Sequence, residues 1–195
     1  MSKISQKRKL EILNAAYGEF QKNGIDGTSM SDIAKSAGIG KSTIYEYFPS
    51  KNQLLSEACV QFISDMEERA MTCFQGDDTI EEKMVAYCKT ICGYMSMVEV
   101  MGNLASKSVD NSDALRNMVE DHIKGFTKRV EIEIAGLLRQ GQETGEIRQD
   151  LDLDVAPVVL QSLPSMQLVW GLNRAQIDQG MEKAVDMVFT GLKNP

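Results

Sequence analysis

The sequence predicts an all-α protein with a small N-terminal head and a larger helical body. Apolar residues recur three or four positions apart along almost the whole chain, which is the spacing of one helix face. No segment shows the convincing alternation of a half-buried strand. The stretch from Thr28 to Lys51 contains two short helical patterns, separated by Gly38 and closed by Pro49. We therefore divide the chain into a three-helix head, residues 1–50, and a helical body, residues 51–195.

The first predicted helix of the head has an apolar face that ends at a glycine. The pair Asn23-Gly24 stops this helix before Thr28, because glycine adopts the backbone angles of a turn at no steric cost. The apolar residues of the face lie three or four positions apart, and they are Ile12, Ala15, Ala16 and Phe20.

The second predicted helix is short and has a capping signal at its start. Thr28 or Ser29 can cap it, because a side-chain oxygen accepts a hydrogen bond from a free backbone N–H. Asp32 adds a negative charge to the first turn, where the helix dipole favours one. Gly38 ends the helix. The residues expected to pack inward are Ile33, Ala34, Ala37 and, under the turn, Ile39.

The third predicted helix runs from about Lys41 to Phe48, and Pro49 halts it by disfavouring helical angles in the preceding residue. Ile44, Tyr45 and Phe48 are available to anchor it. A short helix, a glycine turn and a second short helix form a helix-turn-helix, which places its second helix in the major groove of DNA. The outward face of that helix holds Lys41, Ser42, Thr43, Glu46 and Tyr47.

The helix-turn-helix carries a specific run of residues: Ile33-Ala34, Ala37-Gly38-Ile39, Thr43-Ile44-Tyr45, Tyr47-Phe48 and Ser50-Lys51. This pattern resembles the DNA-binding domain of the tetracycline-repressor (TetR-like) family. The resemblance covers about residues 5–60, with the helix-turn-helix at 29–48, and does not extend into the body. The sequence departs from the family pattern at Gly40, where Ser or Thr often caps the recognition helix. Glycine is the weaker cap there, by roughly a few tenths of a kcal/mol.

Seven residues are candidates for contacts with DNA. The resemblance implies phosphate contacts from Tyr47 and Lys51, and from Thr28 on the preceding helix. Lys41 can donate to guanine and Glu46 can accept from cytosine. A solvated Glu46, or a local ion pair with Lys41 or Lys51, is an equal alternative. The full set is Thr28, Lys41, Ser42, Thr43, Glu46, Tyr47 and Lys51.

The net charge of −7 divides unevenly along the chain. Residues 1–51 hold eight Lys and Arg against five Asp and Glu, a net charge of +3, and the remainder carries −10. A cationic head releases counterions from DNA phosphates, whereas an acidic body is repelled from the duplex. The first residues carry a basic arm that either touches DNA or is a frayed, solvated terminus, and its charges are Lys3, Lys7, Arg8 and Lys9.

Five helices are expected in the body, each bounded by glycine turns or by capping residues. Gly102-Asn103 interrupts the chain after the second helix, Gly145 ends the third, and Pro164 should kink the fourth. The expected spans are Lys51 to Phe74, Thr79 to Val98, Asp113 to Gln142, Asp152 or Asp154 to Leu172, and Asp178 to Leu192.

The last two predicted helices are apolar around much of their circumference. A surface helix keeps a polar face, so these helices should be buried on two sides. One side would be the core of the body, and the other a second subunit packed as a four-helix bundle, as the resemblance also implies. A single thick core within one chain is the alternative. The candidate interface residues are Val159, Leu163, Met166, Met181, Val185, Val188 and Leu192.

The resemblance implies a homodimer that binds a double-stranded DNA operator and responds to a small-molecule effector. Two recognition helices reach successive major grooves when they lie about one DNA turn apart, ~34 Å, so the operator should be a near-palindrome. We interpret the protein as a repressor that a small, largely apolar ligand releases. Flexible Met and aromatic side chains can line a pocket for such a ligand, although Met more often fills a core. The candidates are Tyr94, Met97, Met101, Met118, His122, Phe126 and Trp170.

Two other means of control stay open. A protein partner could act on a body that has no pocket. Cys88 and Cys92 share a helix face and could sense oxidants or a soft metal together with His122, but no fourth ligand is evident and buried, inert thiols are the simpler interpretation. We expect neither a bound metal nor a cofactor.

The sequence lacks the signals of an enzyme or a membrane protein. Gly40-Lys41-Ser42 ends like a P-loop, but Lys35 stands where the motif needs glycine and no strand precedes it. A single histidine leaves no plausible Ser/His/Asp arrangement. No apolar run approaches the ~18 residues of a membrane span, and residues 1–10 lack the apolar region of a signal peptide. A non-enzymatic, cytoplasmic protein is expected.

Overall fold

The computed structural model describes residues 3–105, 112–165 and 174–193. Within these ranges the fold is all-α, as predicted, with one isolated antiparallel bridge between Ile147 and Lys193. No helix in this part of the chain is long and apolar enough to cross a membrane. The helices are α1 (Lys3–Asn23), α2 (Met30–Ser36), α3 (Lys41–Tyr47), α4 (Lys51–Thr72), α5 (Ile80–Ala105), α6 (Ser112–Thr144), α7 (Ala156–Ser162) and α8 (Arg174–Leu192), with a 3₁₀ turn at Leu163–Ser165.

The chain forms two compact units, residues 1–64 with 97–119, and residues 65–96 with 120–195. The first unit contains the head, whose buried cluster joins residues of α1, α2 and α3 to the first turns of α4. Tyr17 of α1 also stacks on Phe62 of α4, with ring centroids 5.4 Å apart. The hydrophobic core of the head therefore extends beyond residue 50, the boundary expected from the sequence. Its members on α4 are Leu54, Leu55, Ala58 and Cys59.

Helix α2 begins with a reciprocal capping box. The Asp32 amide donates to Ser29 Oγ at 3.2 Å, and the Ser29 amide donates to Asp32 Oδ2 at 2.9 Å. Hydrogen bonds from the Ser29 hydroxyl and amide hold the pKa of the Asp32 carboxyl below its usual value. Gly38, at φ 65°, ends the helix where the sequence predicted a left-handed residue.

The core of the second unit is built by the end of α4, by α5, α6, α7 and α8. Gly141 of α6 lets two side chains lie against the helix backbone. A Cβ at this position would stand 2.5 Å from Ile147 Cγ1 and 2.9 Å from Ile80 Cδ1. Gly145, at φ 83°, then ends α6, as the sequence predicted.

The largest differences from the expected helix spans of the body occur at three places. Helix α5 continues through Gly102-Asn103 to Ala105. The helix expected to reach Leu172 is α-helical only from Ala156 to Ser162 and tightens into the 3₁₀ turn that contains Pro164. The proline ring crowds the preceding turn and supplies no N–H, so the α-helical bonding stops there. Residues 166–173 lie outside the described residues. Helix α8 begins at Arg174 rather than Asp178.

Candidate nucleic-acid interface

Helix α3 presents one face to the core of the head and another to the outside. Ile44 is fully buried, and Phe48, directly after the helix, is equally buried one turn on. Tyr45 is 44% exposed, so the expectation that it anchors the helix is wrong. One residue step rotates a helix by about 100°, which carries Tyr45 off the inward face that Ile44 and Phe48 fill. The exposed residues of the helix are Lys41, Ser42, Tyr45 and Glu46.

Thr43 and Tyr47 lie at the border between the two faces. Both are half-buried, and Tyr47 packs against the hydrophobic core of the head. The Tyr47 side chain therefore supports the helix as well as bordering its outward face. Sequence reasoning placed this residue on the outward face and missed Tyr45, although the exposed aromatic ring of Tyr45 offers the larger surface for contact.

Thr28 has a structural role in the head. Its side chain is 2% exposed, and its hydroxyl donates to the carbonyl oxygens of Gly24 at 2.7 Å and Glu19 at 3.2 Å. These bonds tie the turn after α1 to the start of α2. A hydroxyl turned inward in this way is not placed for phosphate, which corrects the contact expected from the resemblance. It also leaves Ser29 to cap α2.

Lys51 is held where the chain leaves the recognition helix. Its ammonium donates to the carbonyl oxygen of Ile25 at 2.5 Å, across the turn between α1 and α2. The side chain is half-buried, and an ammonium has three donors, so this bond leaves others for a phosphate. The structure thus places Lys51 as a fixed cation at the edge of the head.

The start of α3 has no side-chain cap. Gly40 is the N-cap residue, at φ −70° and ψ 152°, and no side-chain hydrogen bond closes the first turn. That turn contains no acidic residue, whereas Lys41 is exposed at its first position. The positive end of the helix dipole and the Lys41 ammonium therefore lie at the same end of the recognition helix.

Two cations of the expected basic arm are paired within the head. The chain is helical from Lys3, and Arg8 pairs with Glu11 at 2.8 Å. Lys9 pairs with Glu57 of α4 at 2.5 Å and lies over the Phe48 ring, 5.4 Å from its centroid. Lys9 therefore braces the end of the recognition helix rather than reaching outward.

The structure brings two of the proposed effector contacts into one region of the body. Phe126 is buried in the main cluster, and Tyr94 is half-buried against the same cluster. Burial raises the pKa of Tyr94. His122, another of the proposed effector contacts, is exposed. Trp170 lies outside the described residues. The same holds for the side chains of Met97, Met101 and Met118.

The proposed dimer residues separate into two groups. Leu163, Met181 and Val185 are buried inside the core of their own chain. These three side chains are therefore turned away from any partner, because helical periodicity identifies an apolar stripe but not what covers it. Val159 is 47% exposed, Val188 and Leu192 are half-buried, and Met166 lies outside the described residues. Three further apolar residues in this region are exposed but were not among the predicted interface residues: Val155, Val158 and Met187.

Three of the four cysteines, Cys59, Cys88 and Cys92, are buried and poorly placed for chemistry. Cys88 and Cys92 are buried, and burial raises the pKa of the Cys88 thiol well above its usual value. Burial also raises the pKa of Cys59 to about 12. The nucleophilic and metal-binding form of cysteine is the thiolate, which these environments disfavour. Among the described residues, no three His, Cys, Asp or Glu side chains converge as a metal site.

Comparison with known proteins finds a family match in the head and solved structures with a similar fold. Residues 12–58 match the family described as bacterial regulatory proteins, tetR family. The chain is 28% identical to the fatty acid metabolism regulator protein of Bacillus subtilis, over 98% of this chain and 100% of that protein. It is 24% identical to the probable acrEF/envCD operon repressor of Escherichia coli, over 88% of this chain and 80% of that protein. KstR2, a ketosteroid transcriptional regulator of Mycobacterium tuberculosis, has a similar fold, with a TM-score of 0.61 and 22% identity over 96% of both chains.

Proposed function

We propose that this chain, a TetR-like DNA-binding transcriptional regulator, is a homodimeric repressor that a small, largely apolar effector releases from a near-palindromic operator. The similar proteins are named as regulators and not as enzymes. The observation that carries the DNA-binding part is the outward face of α3, which is exposed while Ile44 and Phe48 fix the opposite side.

The outward face contains complementary kinds of contact. Lys41 and Glu46 suit the donor and acceptor groups of base edges, and Tyr45 offers an exposed ring and hydroxyl. Lys51 and Tyr47 lie at the border of the head, where phosphate contacts would set the register of the helix. One helix of this length touches few bases, so a second copy at a fixed distance is needed for specificity.

The exposed apolar residues of α7 and α8 support the dimer. Val155, Val158 and Val159 follow one another on and just before α7, and each is about half exposed. Met187 of α8 is 76% exposed. Apolar side chains that remain in water on helices with a buried opposite face are typical of a subunit interface.

The effector is proposed to be an acyl-chain compound. Phe126 and Tyr94 lie in one apolar region of the body, which favours an apolar ligand with some polar character. The relative from Bacillus subtilis is named as a regulator of fatty acid metabolism. Control by thiol chemistry is disfavoured by the burial of Cys88 and Cys92.

Selection of duplexes from a random-sequence library tests the DNA-binding proposal. The enriched sequences should form a near-palindrome, and Lys41→Ala and Tyr45→Ala should weaken binding to it. Lys183→Ala is the matched control, since Lys183 is an exposed cation on α8. Failure to enrich any sequence, or equal binding by all variants, would contradict the proposal.

A series of fatty acids and their thioesters, added to the operator complex, tests the effector proposal. A compound that releases DNA should also bind less tightly when operator is present, because the coupling is reciprocal. If no member of the series shifts operator affinity, the effector class is wrong, while the DNA-binding proposal stands on its own test.

The oligomeric state is tested by light scattering of Met187→Glu beside Ile132→Glu. Both side chains are exposed and apolar, but Ile132 lies on α6. Met187→Glu should shift the protein toward monomer and Ile132→Glu should not. A monomeric wild-type protein would remove the basis for the paired recognition helices.

A further inference from the structure

A buried lysine lies beside the turn between α4 and α5. Lys83 of α5 is 9% exposed, and its ammonium donates to the carbonyl oxygen of Gly76 at 2.8 Å. Among the described residues, no carboxylate approaches this ammonium within the 4.0 Å of an ion pair. A buried cation is costly unless it is paired, and the bond to Gly76 uses one of the three donors of the ammonium.

Lys83 is one of the residues that line a cavity of about 360 Å³. Small-molecule sites begin at about this size. The cavity is half open to solvent and lies between the turn that joins α4 to α5 and the end of α6, all within the second compact unit. Ile80 and Leu137 supply apolar wall, while three exposed acidic residues line the cavity as well: Asp77, Asp78 and Glu146.

The two kinds of charge restrict what the cavity can hold. A simple anion would meet Lys83 but would also be repelled by the three carboxylates. A simple cation would meet the carboxylates but would be repelled by the Lys83 ammonium. A molecule that carries both charges a short distance apart can meet Lys83 and the carboxylates together, because opposite charges attract across a few ångströms.

We propose that this cavity is a binding site for a small zwitterion, an aliphatic α-amino acid. Its carboxylate lies on the Lys83 ammonium, its ammonium faces the acidic residues, and its side chain covers Ile80 and Leu137. The site is separate from the effector region near Tyr94 and Phe126, and the proposal does not depend on the protein being a repressor.

Isothermal titration of the full chain with three compounds of one shape tests the site. L-Leucine carries both charges, leucinamide lacks the carboxylate, and 4-methylpentanoate lacks the ammonium. L-Leucine should bind at millimolar concentration or below, and each of the other two at least about tenfold more weakly, the loss expected for one charge contact. Absence of leucine binding, or equal binding by 4-methylpentanoate, overturns the proposal.

Substitutions at Lys83 and at the three acidic residues test which side chains bind leucine. Lys83→Met should abolish leucine binding, whereas Lys183→Met on the outer surface should leave it unchanged. Because Lys83 also holds the Gly76 turn, Lys83→Met can fail to fold. The triple variant D77N/D78N/E146Q changes only exposed side chains and should also weaken binding at least about tenfold. Unchanged binding in the triple variant contradicts the zwitterion assignment.

Discussion

The ammonium of Lys51 donates to the carbonyl oxygen of Ile25, so the first residue of α4 is tied to the turn that precedes the helix-turn-helix. This bond holds the two ends of the DNA-binding unit together. It also fixes the position of a cation that the resemblance assigned to phosphate.

Replacing Lys51 by Met should destabilise the head and weaken DNA binding at every sequence. Loss of a charged hydrogen bond of this kind costs about 1–3 kcal/mol. Urea unfolding monitored by circular dichroism measures the first effect, and fluorescence anisotropy with operator and unrelated DNA measures the second. Lys51→Arg should retain most of the stability and most of the DNA affinity. If Lys51→Met is as stable as the wild type and binds DNA equally well, the bond has no role.

Thr28→Val should lower stability without changing the operator affinity of the folded protein. The valine is nearly isosteric, but the carbonyl oxygens of Glu19 and Gly24 lose the donor that the Thr28 hydroxyl supplies. We expect a loss of about 0.5–1.5 kcal/mol in the free energy of unfolding. Thr28→Ser should recover part of it. A selective loss of DNA affinity at full stability would return Thr28 to the set of phosphate contacts.

Tyr45→Ala and Tyr47→Ala should behave differently. Tyr45 is exposed, so its removal should reduce operator binding while the melting temperature stays within about 2 °C of the wild type, the range of ordinary surface substitutions. Tyr47 packs against the hydrophobic core of the head, so its removal should reduce both operator binding and the melting temperature. Anisotropy and thermal melting of the two variants, measured together, separate these effects. Similar melting temperatures for the pair would contradict the assigned faces.

Gly141→Ala should destabilise the body, and Gly136→Ala should stabilise it. A methyl group at Gly141 meets Ile147 and Ile80 at distances that force a shift, which costs about 1–3 kcal/mol. Gly136 lies in the same helix with no atom within 4 Å of its added Cβ, so alanine there gains about 0.5–1 kcal/mol of helix propensity. Chemical denaturation of both variants gives the comparison, and equal effects would refute the close packing at Gly141.

The capping box of α2 should contribute to acid sensitivity. Bonds from Ser29 lower the pKa of Asp32 in the folded state, so the folded protein binds fewer protons there than the unfolded chain. Its stabilising contribution is therefore present above the ordinary carboxyl pKa of 3.8 and is lost as the pH falls through the lowered value. Asp32→Asn should flatten the acid limb of a melting-temperature profile, whereas Asp26→Asn should not. Parallel profiles for wild type and Asp32→Asn would contradict this.

The sequence was sufficient to predict the helix-turn-helix because its signals are local. Gly38 and Pro49 act through the backbone angles of their own neighbourhood, and the structure has α3 ending at Tyr47, one residue from the expected position. The family match over residues 12–58 includes this unit.

Whether an individual side chain faces the core or the solvent was harder to predict, because this depends on the elements that pack against its helix. Tyr45 and Ile44 are adjacent apolar residues in a helix of two turns, and periodicity alone does not say which one the core selects. The same limit applies to Val185 and Met187 of α8. Both belong to an apolar stretch, but one is fully buried in its own chain and the other is 76% exposed.

The stacking of Tyr17 on Phe62, together with the burial of Leu54 and Ala58, has a consequence for the modularity of this protein. The segment that can be exchanged between proteins as a folded head is longer than the helix-turn-helix. A chimaera joined at residue 50 would inherit the DNA-reading helix but expose the apolar side that α4 normally covers. Exchange of heads between related regulators, by recombination or in the laboratory, must therefore carry the first turns of α4 along with the motif they support.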